Sequence, residues 1–512
     1  MRFAVTTEPQ TLNFVHGSDR LSVMIGSLVS DTLVQYDASL RVVPRLAEAW
    51  ELSPDGLTAT FHLREGARWE DGAAVTAEDA VFTAERIRDP RSAATAKYDL
   101  FSPMVRIEAP NPRTVRVTYA ERDPHAISAW TGAPLLPKHL WEKEADFLGS
   151  PLGRKPVGCG PFRLLEWLPG RELVFEASPT YWGGRPHLDR FIMKVIPEDA
   201  TRLAALRLGE IDVLSMPPQQ AADLAADPQA SARLALLQTS ALYLFYIGWN
   251  MDGSTPLFAD ERVRRALTLA LDRPGYLASV FGSGYQPAST LIPPGCPAGD
   301  AGLTALPYDP AAAKSLLDEA GWKDADGDGV REQAGRRFSF TLLYPHTGQM
   351  NDQMAEFFQQ NLAGVGVQMK LQKLEWSILL ERMGRHRFEA FMAGMQFDPD
   401  AEPCGTFRSG AASDGSNYVS WKDAEVDRLC GQANAAQDEA SRLALQREVG
   451  RLIGERLPIT PILNPIGILA VDRRVHGVAT SPLGFIQIAP GVAGWWVPRE
   501  EQRFPSTHPP GS

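Results

Sequence analysis

The run "DADGDGVRE", residues 324–332, places carboxylates at alternate positions, Asp324, Asp326 and Asp328, with Gly329 directly behind them. Hard oxygen ligands at that spacing resemble the opening of a calcium loop. An EF-hand loop closes on a bidentate acid at its twelfth position, which counted from Asp324 is Gly335. No helix enters the run either, because Gly321 and Trp322 close the helical pattern before it. It is expected to be a solvated turn, and no metal site is assigned. Other reactive groupings are absent from the sequence. There is no G-x-S-x-G elbow, no H-E-x-x-H and no G-x-x-x-x-G-K-[ST]. "GCGPF", residues 158–162, lacks the third glycine of a dinucleotide fingerprint. The nine histidines are scattered; His125 and His139 come nearest to a cluster, without metal-ligand spacing. The four cysteines, Cys159, Cys296, Cys404 and Cys430, form no CxxC pair; they permit up to two disulfides and require none. No catalytic residue and no cofactor is assigned.

The chain that positions these groups has 512 residues, 44% of them hydrophobic, enough for several cores. Its formal charge of -11, with no long basic run, argues against nucleic acid or an anionic membrane surface as a partner. No apolar run approaches the roughly 20 residues of a membrane span. "MRFAVTTEPQTLNF" has neither the apolar core nor the small-residue cleavage site of a signal peptide.

Strand and helix patterns alternate. "TATFHLRE" puts Ala59, Phe61 and Leu63 on one face at period two; "RTVRVTY" and "RFSFTLLY" do the same with Val115, Val117 and Tyr119, and with Phe338, Phe340, Leu342 and Tyr344. Thr76 and Asp79 predict a capping box ahead of a helix whose buried stripe is Ala80, Val81, Ala84 and Ile87. Asp309, Pro310 and Gly321 bracket a second helix, with Ala313, Leu316, Leu317 and Ala320 at helical spacing. Val263, Ala266, Leu267, Ala270 and Leu271 mark a third. The mixture predicts an α/β protein with sheets covered by helices.

Several stretches, taken in order, resemble the family 5 extracellular solute-binding proteins, the peptide-, dipeptide- and nickel-binding receptors of ABC importers. "PRLAEAWELSPDGLTATFHLREGARWEDGAAVTAEDAVFT", residues 44–83, is similar to the family's signature region. "VGCGPFRLLEW", "SPTYWGGRPHLD", "ALRLGEIDVL", "FADERVRRALTLALDR", "LPITPIL" and "VHGVATSPLG" continue the likeness over nearly the whole chain. Most of these residues read as turns, caps and core; Asp55-Gly56 and Asp71-Gly72, for example, read as tight turns flanking a strand.

The resemblance implies a periplasmic-binding-protein type II fold of two lobes joined by a hinge, with three structural domains. The first is discontinuous, roughly 1–26, 156–243 and 467–512. The second, roughly 27–155, is inserted into it, and the third is roughly 244–466. Extended crossovers near Tyr246–Asn250 and Ile462–Gly467 would form the hinge, and the lobes would close on a solute. It implies no enzyme, but a monomeric periplasmic or otherwise extracytoplasmic receptor that hands a small solute to a membrane permease. A cytoplasmic or enzymatic derivative of the fold is the alternative. Peptide-binding members hold the ligand's ammonium with an aspartate in a G-W-x-x-D stretch. Here that run is "GMQFD", which assigns Asp398 to the ammonium, with Met395 and Gln396 beside it. Trp376 matches a tryptophan of the peptide binders. Met383 and Met392 stand where oligopeptide binders carry arginines, with Arg382 one place early, and "PILNPIG" replaces an aromatic segment and offers Asn464. A peptide-like solute leads; a dipeptide, a modified amino acid, an opine or an oligosaccharide stays open, and no histidine is placed for nickel. Cys159 is expected buried and free. Cys404–Cys430 is ranked ahead of Cys296–Cys404 as a disulfide, because it would tie the loop after Asp398 to a helix.

Overall fold

The computed structural model describes residues 1–503 except 18, 283–284, 301, 347–348, 415–416 and 437. The chain divides into two compact units. One comprises Met1–Thr239 with the segment from Gly467 onward, and the other Ser240–Ile466.

The first unit contains a seven-stranded sheet. Its central strand Arg2–Val5 lies parallel to Arg190–Val195 and to Val213–Met216. A four-stranded antiparallel sheet is built from 47–119, where Thr58–Leu63 pairs with Ala47–Leu52 and with Thr114–Tyr119. Ala59, Phe61, Leu63, Val115, Val117 and Tyr119 are buried, as the period-two pattern predicts. The helix Ala77–Arg88 covers that face behind the expected Thr76–Asp79 capping box. Phe82 is buried there, whereas Val81 is only partly covered. One hydrophobic core runs from Phe3 and Phe191 of the large sheet to Phe61 of the small one and to Trp130, in the short turn Ser128–Gly132.

Several of the resemblance motifs lie in this unit. A Cβ at Gly158 would stand 1.8 Å from the Val29 carbonyl oxygen, and the Gly160 N–H donates to that oxygen at 2.8 Å. The "GCGPF" glycines therefore let one segment close on the end of the helix Arg20–Val29. Close by, Asp31 is fully buried against Arg45, at 2.8 Å, and accepts from the Trp182 indole N–H at 2.6 Å. Full burial pushes the Asp31 carboxyl up, against the pull of Arg45 and of that indole. Cys159 is buried and free, and burial pushes its thiol well above the ordinary range.

The second unit is built on a five-stranded mixed sheet. In spatial order its strands are Gln368–Leu374, Ser339–Pro345, Ala390–Gln396, Tyr243–Trp249 and Ile459–Leu463. The expected helices Pro310–Glu319 and Glu261–Ala270 are present, capped by Asp309 and Asp260. The arginines of "ERVRRALTLALDR" have a structural task. Arg264 donates to the carbonyls of Phe258, Ala259, Arg456 and Leu457, and Arg273 to those of Pro461 and Leu306. Burial lowers both guanidiniums to about 10, with Glu261 and Asp260 pulling Arg264 the other way.

One expectation fails. Tyr246–Trp249, read as part of a crossover, lie inside the strand Tyr243–Trp249, paired on both sides with Ala390–Gln396 and Ile459–Leu463. The chain passes between units earlier, at Thr239–Ser240, and again at Ile466–Gly467.

Candidate functional site

In the second unit the strands Ser339–Pro345, Gln368–Leu374 and Ala390–Gln396 are mutually parallel neighbours, and Tyr243–Trp249 runs against them. Their carboxyl ends, the start of Tyr243–Trp249 and the end of Ile459–Leu463 therefore share one edge of the sheet. Open α/β sheets bind ligands outside the carboxyl ends of their strands. Of the residues singled out from the sequence, Met395, Gln396, Asp398 and Asn464 lie at this edge on or beside neighbouring strands, and Trp376 follows the outermost strand Gln368–Leu374 at the far side of the sheet.

Asp398 is exposed, two residues past Ala390–Gln396, on a loop fixed at many points. Phe397 is buried and its N–H donates to the Leu242 carbonyl at 2.8 Å. The Ala401 N–H returns to the Asp398 carbonyl at 3.0 Å, and the Cys296 thiol lies 3.8 Å from that same oxygen. Burial pushes the Cys296 thiol up to about 12, with the carboxylates of Asp400 and Asp398 adding to the shift. Glu402 caps the short helix Pro403–Phe407 by accepting from the N–H groups of Cys404 and Gly405. Cys404 is joined to Cys430 by a disulfide with a Cα–Cα distance of 5.5 Å, which ties this segment to the helix Ala424–Ala435. Cys296 is free and buried.

Gln396 and Asn464 work as stitches. Gln396 donates to the Leu242 carbonyl at 2.7 Å, and Asn464 to the Tyr243 carbonyl at 2.9 Å. Each spends its NH2 on the main chain. The register places Gln396 opposite Tyr243 and Met395 opposite Leu244, so Met395 and Gln396 point to opposite faces. Gly394 shares a face with Gln396. A Cβ there would fall 1.9 Å from the Tyr243 hydroxyl, so the phenol lies directly across the strand. Trp376 begins the helix Trp376–Gly384 and is 42% exposed, which makes it a surface ring beside the edge and not core. Arg382 stands apart from this group. It is six residues further along that helix, about 9 Å down the axis, and its guanidinium reaches Gln372 at 3.5 Å.

The first unit has an equivalent edge, where Val5, Val195 and Met216 end their strands. Thr6 and Thr7 are exposed there, and the Glu8 carboxylate accepts from the Gly170 N–H. On the strand Phe162–Leu168 beside it, Trp167 carries the Arg154 guanidinium 4.0 Å from its ring centroid. Sequence reading passed over these residues; the signal was a polar run directly after the first strand, whose meaning depends on which strands flank it.

The aspartate run is a turn of nested hydrogen bonds. Asp324 accepts from the N–H groups of Gly327 and Gly329, and Asp328 from that of Val330. Arg337 reaches Asp328 at 2.6 Å. A fourth carboxylate, Glu332, joins Asp324, Asp326 and Asp328, with one ligand atom of each lying within 4.8 Å of the others. Glu332 is the ninth residue of the run, not the twelfth, so a test for an EF-hand acid passes over it. Among the described residues no helix is long and apolar enough to cross a membrane.

Residues 41–417 match the family described as bacterial extracellular solute-binding proteins, family 5 Middle. The chain is 30% identical to the oligopeptide-binding protein AppA of Bacillus subtilis over 508 residues, covering 96% of this chain and 90% of that one. It is 29% identical to the dipeptide-binding protein of Escherichia coli, covering 86% and 84%. Among solved structures, AppA from Bacillus subtilis in complex with a nonapeptide superposes with a TM-score of 0.70 at 27% identity, over 97% of this chain and 98% of that one. HbpA2 from Haemophilus parasuis shares the fold, with a TM-score of 0.85 at 24% identity over 97% and 99%.

Proposed function

The chain belongs to the bacterial extracellular solute-binding proteins of family 5, a family of ABC importer receptors, and on that premise we propose that its solute is a peptide or peptide-like molecule bearing a free ammonium group. The observation that carries this reading is Asp398. Its carboxylate stands exposed at the carboxyl ends of the strands, on a loop held by the main chain, by the Glu402 cap and by the Cys404–Cys430 bridge. A fixed carboxylate loses little entropy on meeting a cation, and a charge pair closed off from water is worth far more than an exposed one. Trp376, further along the same edge, offers an exposed ring for an apolar side chain, and the amide oxygens of Gln396 and Asn464 accept from peptide N–H groups. The named relatives that bind oligopeptides and dipeptides support the same class. Acting as a monomer, the receptor delivers this solute to its membrane permease on the extracytoplasmic side.

Native mass spectrometry of the purified protein identifies a retained solute. Calorimetry with that solute then compares the native chain with Asp398→Ala. The expected loss is about 2–5 kcal/mol. Unchanged affinity, or a retained solute without a cationic group such as an oligosaccharide, overturns the reading.

A further inference from the structure

Away from the edge that carries Asp398, one surface of the second unit gathers positive charge. The helix Trp376–Gly384 runs back from that edge, and the turn after it leads into Ala390–Gln396 at the opposite end of the sheet. A depression of about 360 Å³ opens there, lined by Ile378, Glu381, Arg382, Arg385 and Arg387. Three guanidiniums thus face one carboxylate. Glu381 lies 3.2 Å from Arg385. Arg382 meets only the Gln372 amide oxygen, and Arg387 makes no ion pair among the described residues. Several other exposed arginines sit against acids, as Arg262 does with Asp260 at 2.7 Å and Arg428 with Glu425 at 2.7 Å. On a chain with a net charge of -11, a pocket left positive runs against the trend.

The backbone holds this convergence in place. His386 has φ +53°, the left-handed conformation that glycine usually supplies just past a helix. Its N–H donates to the Met383 carbonyl at 3.1 Å, and the next N–H, of Arg387, to the Arg382 carbonyl at 2.8 Å. For a residue with a side chain this conformation is sterically unfavourable. Tertiary contacts offset the cost. The imidazole nitrogens lie 2.8 Å from the Tyr418 carbonyl oxygen and 3.1 Å from that of Ala412. Asn250, fully buried, donates to the carbonyls of His386 and Phe388. The product is a rigid turn that folds Arg387 back beside Arg382 and Arg385. Strain maintained by its surroundings is characteristic of functional segments.

We propose that Arg382, Arg385 and Arg387 form a site for a phosphate-type oxyanion, separate from the solute site. Planar guanidinium forks match the oxygens of such a group in pairs, and Ile378 gives the depression an apolar wall. The volume suits a phosphate or a phosphodiester headgroup.

Two arms distinguish the sources of that chemistry. In one, the intact protein is titrated calorimetrically with inorganic phosphate and with pyrophosphate at constant ionic strength. In the other, it is sedimented with phosphatidylcholine vesicles with and without phosphatidylglycerol. Saturable binding in the first arm identifies a free anion; binding confined to phosphatidylglycerol vesicles identifies a headgroup. In whichever arm binds, the double variant Arg385→Ala/Arg387→Ala is expected to weaken binding at least roughly tenfold, the scale of one lost charge-assisted contact, while solute affinity is unchanged. If the double variant fails to fold, Arg387→Glu alone serves the same comparison. Binding in neither arm, or binding by the folded variant equal to that of the native chain, overturns the proposal.

Discussion

Removing the Cys404–Cys430 bridge tests whether the loop after Asp398 depends on its anchor. The informative variant is Cys404→Ala/Cys430→Ala. Both sulfurs are buried, and alanine leaves no hydroxyl to desolvate. The bridge spans 26 residues. In the chain-entropy model, releasing a loop of that size in the unfolded chain costs about 3.5 kcal/mol. The folded loop keeps its nearer ties, from Phe397 to Leu242 and from Ala401 to Asp398, so Asp398 itself moves little. Stability should therefore fall much more than affinity. Two compact units need not unfold together, so the assay is hydrogen exchange read separately over Pro403–Phe407 and Ala424–Ala435. Exchange there is expected to accelerate by roughly two orders of magnitude, since each 1.4 kcal/mol is about tenfold, with solute affinity lowered less than about tenfold. If exchange in both helices matches the native chain, the bridge restrains nothing. A larger loss of affinity than of protection would show that Asp398 is held chiefly by the disulfide.

Burial pushes the Glu70 carboxyl from the ordinary 4.5 up to about 7, with Arg163 pulling the other way. A carboxyl that holds its proton more tightly when folded makes stability fall as pH rises from about 4.5 to 7, and the deficit is complete above that window. The displacement corresponds to about 3 kcal/mol, which solvent contact at this half-buried group reduces to about 1–2 kcal/mol. Glu70→Gln should accordingly raise stability at pH 8 and leave it unchanged near pH 4, as followed by denaturant titration; a gain independent of pH refutes the assignment. The aspartate turn lies before Ser339–Pro345, at the end of the sheet away from Asp398. Asp326→Asn, and a metal chelator added to the native chain, are both expected to leave solute affinity unchanged, and a calorimetric loss with either would couple that turn to binding.

What was legible in the sequence depended on how local its cause was. Ala59, Phe61 and Leu63 alternate because one face of their strand is solvated, and Thr76 with Asp79 closes a hydrogen-bonded ring within four residues. Those causes lie inside a short window. The crossover expected near Tyr246–Asn250 failed for the opposite reason. Tyr246–Trp249 belong to an inner strand with partners on both sides, so the apolar run lacks alternation and reads like any extended segment. Glu332 was missed because the ring of carboxylates closes at a different residue from the one an EF-hand prescribes.

The candidate site divides along the same line. Asp398, Trp376 and Asn464 could be named individually, but their common edge exists only once five strands have set their directions. The role of a polar residue there is decided by long-range partners. Gln396 and Asn464 give their N–H groups to carbonyls 154 and 221 residues away in the chain. Asp398, by contrast, is turned outward while its neighbours Phe397 and Cys404 are buried to hold it. That division of labour, with apolar and disulfide groups carrying the loop and Asp398 exposed on it, puts the largest loss of hydration on binding at the carboxylate. It favours a solute whose cation can replace the lost water directly, and it predicts that affinity follows the ligand's charge more closely than its length.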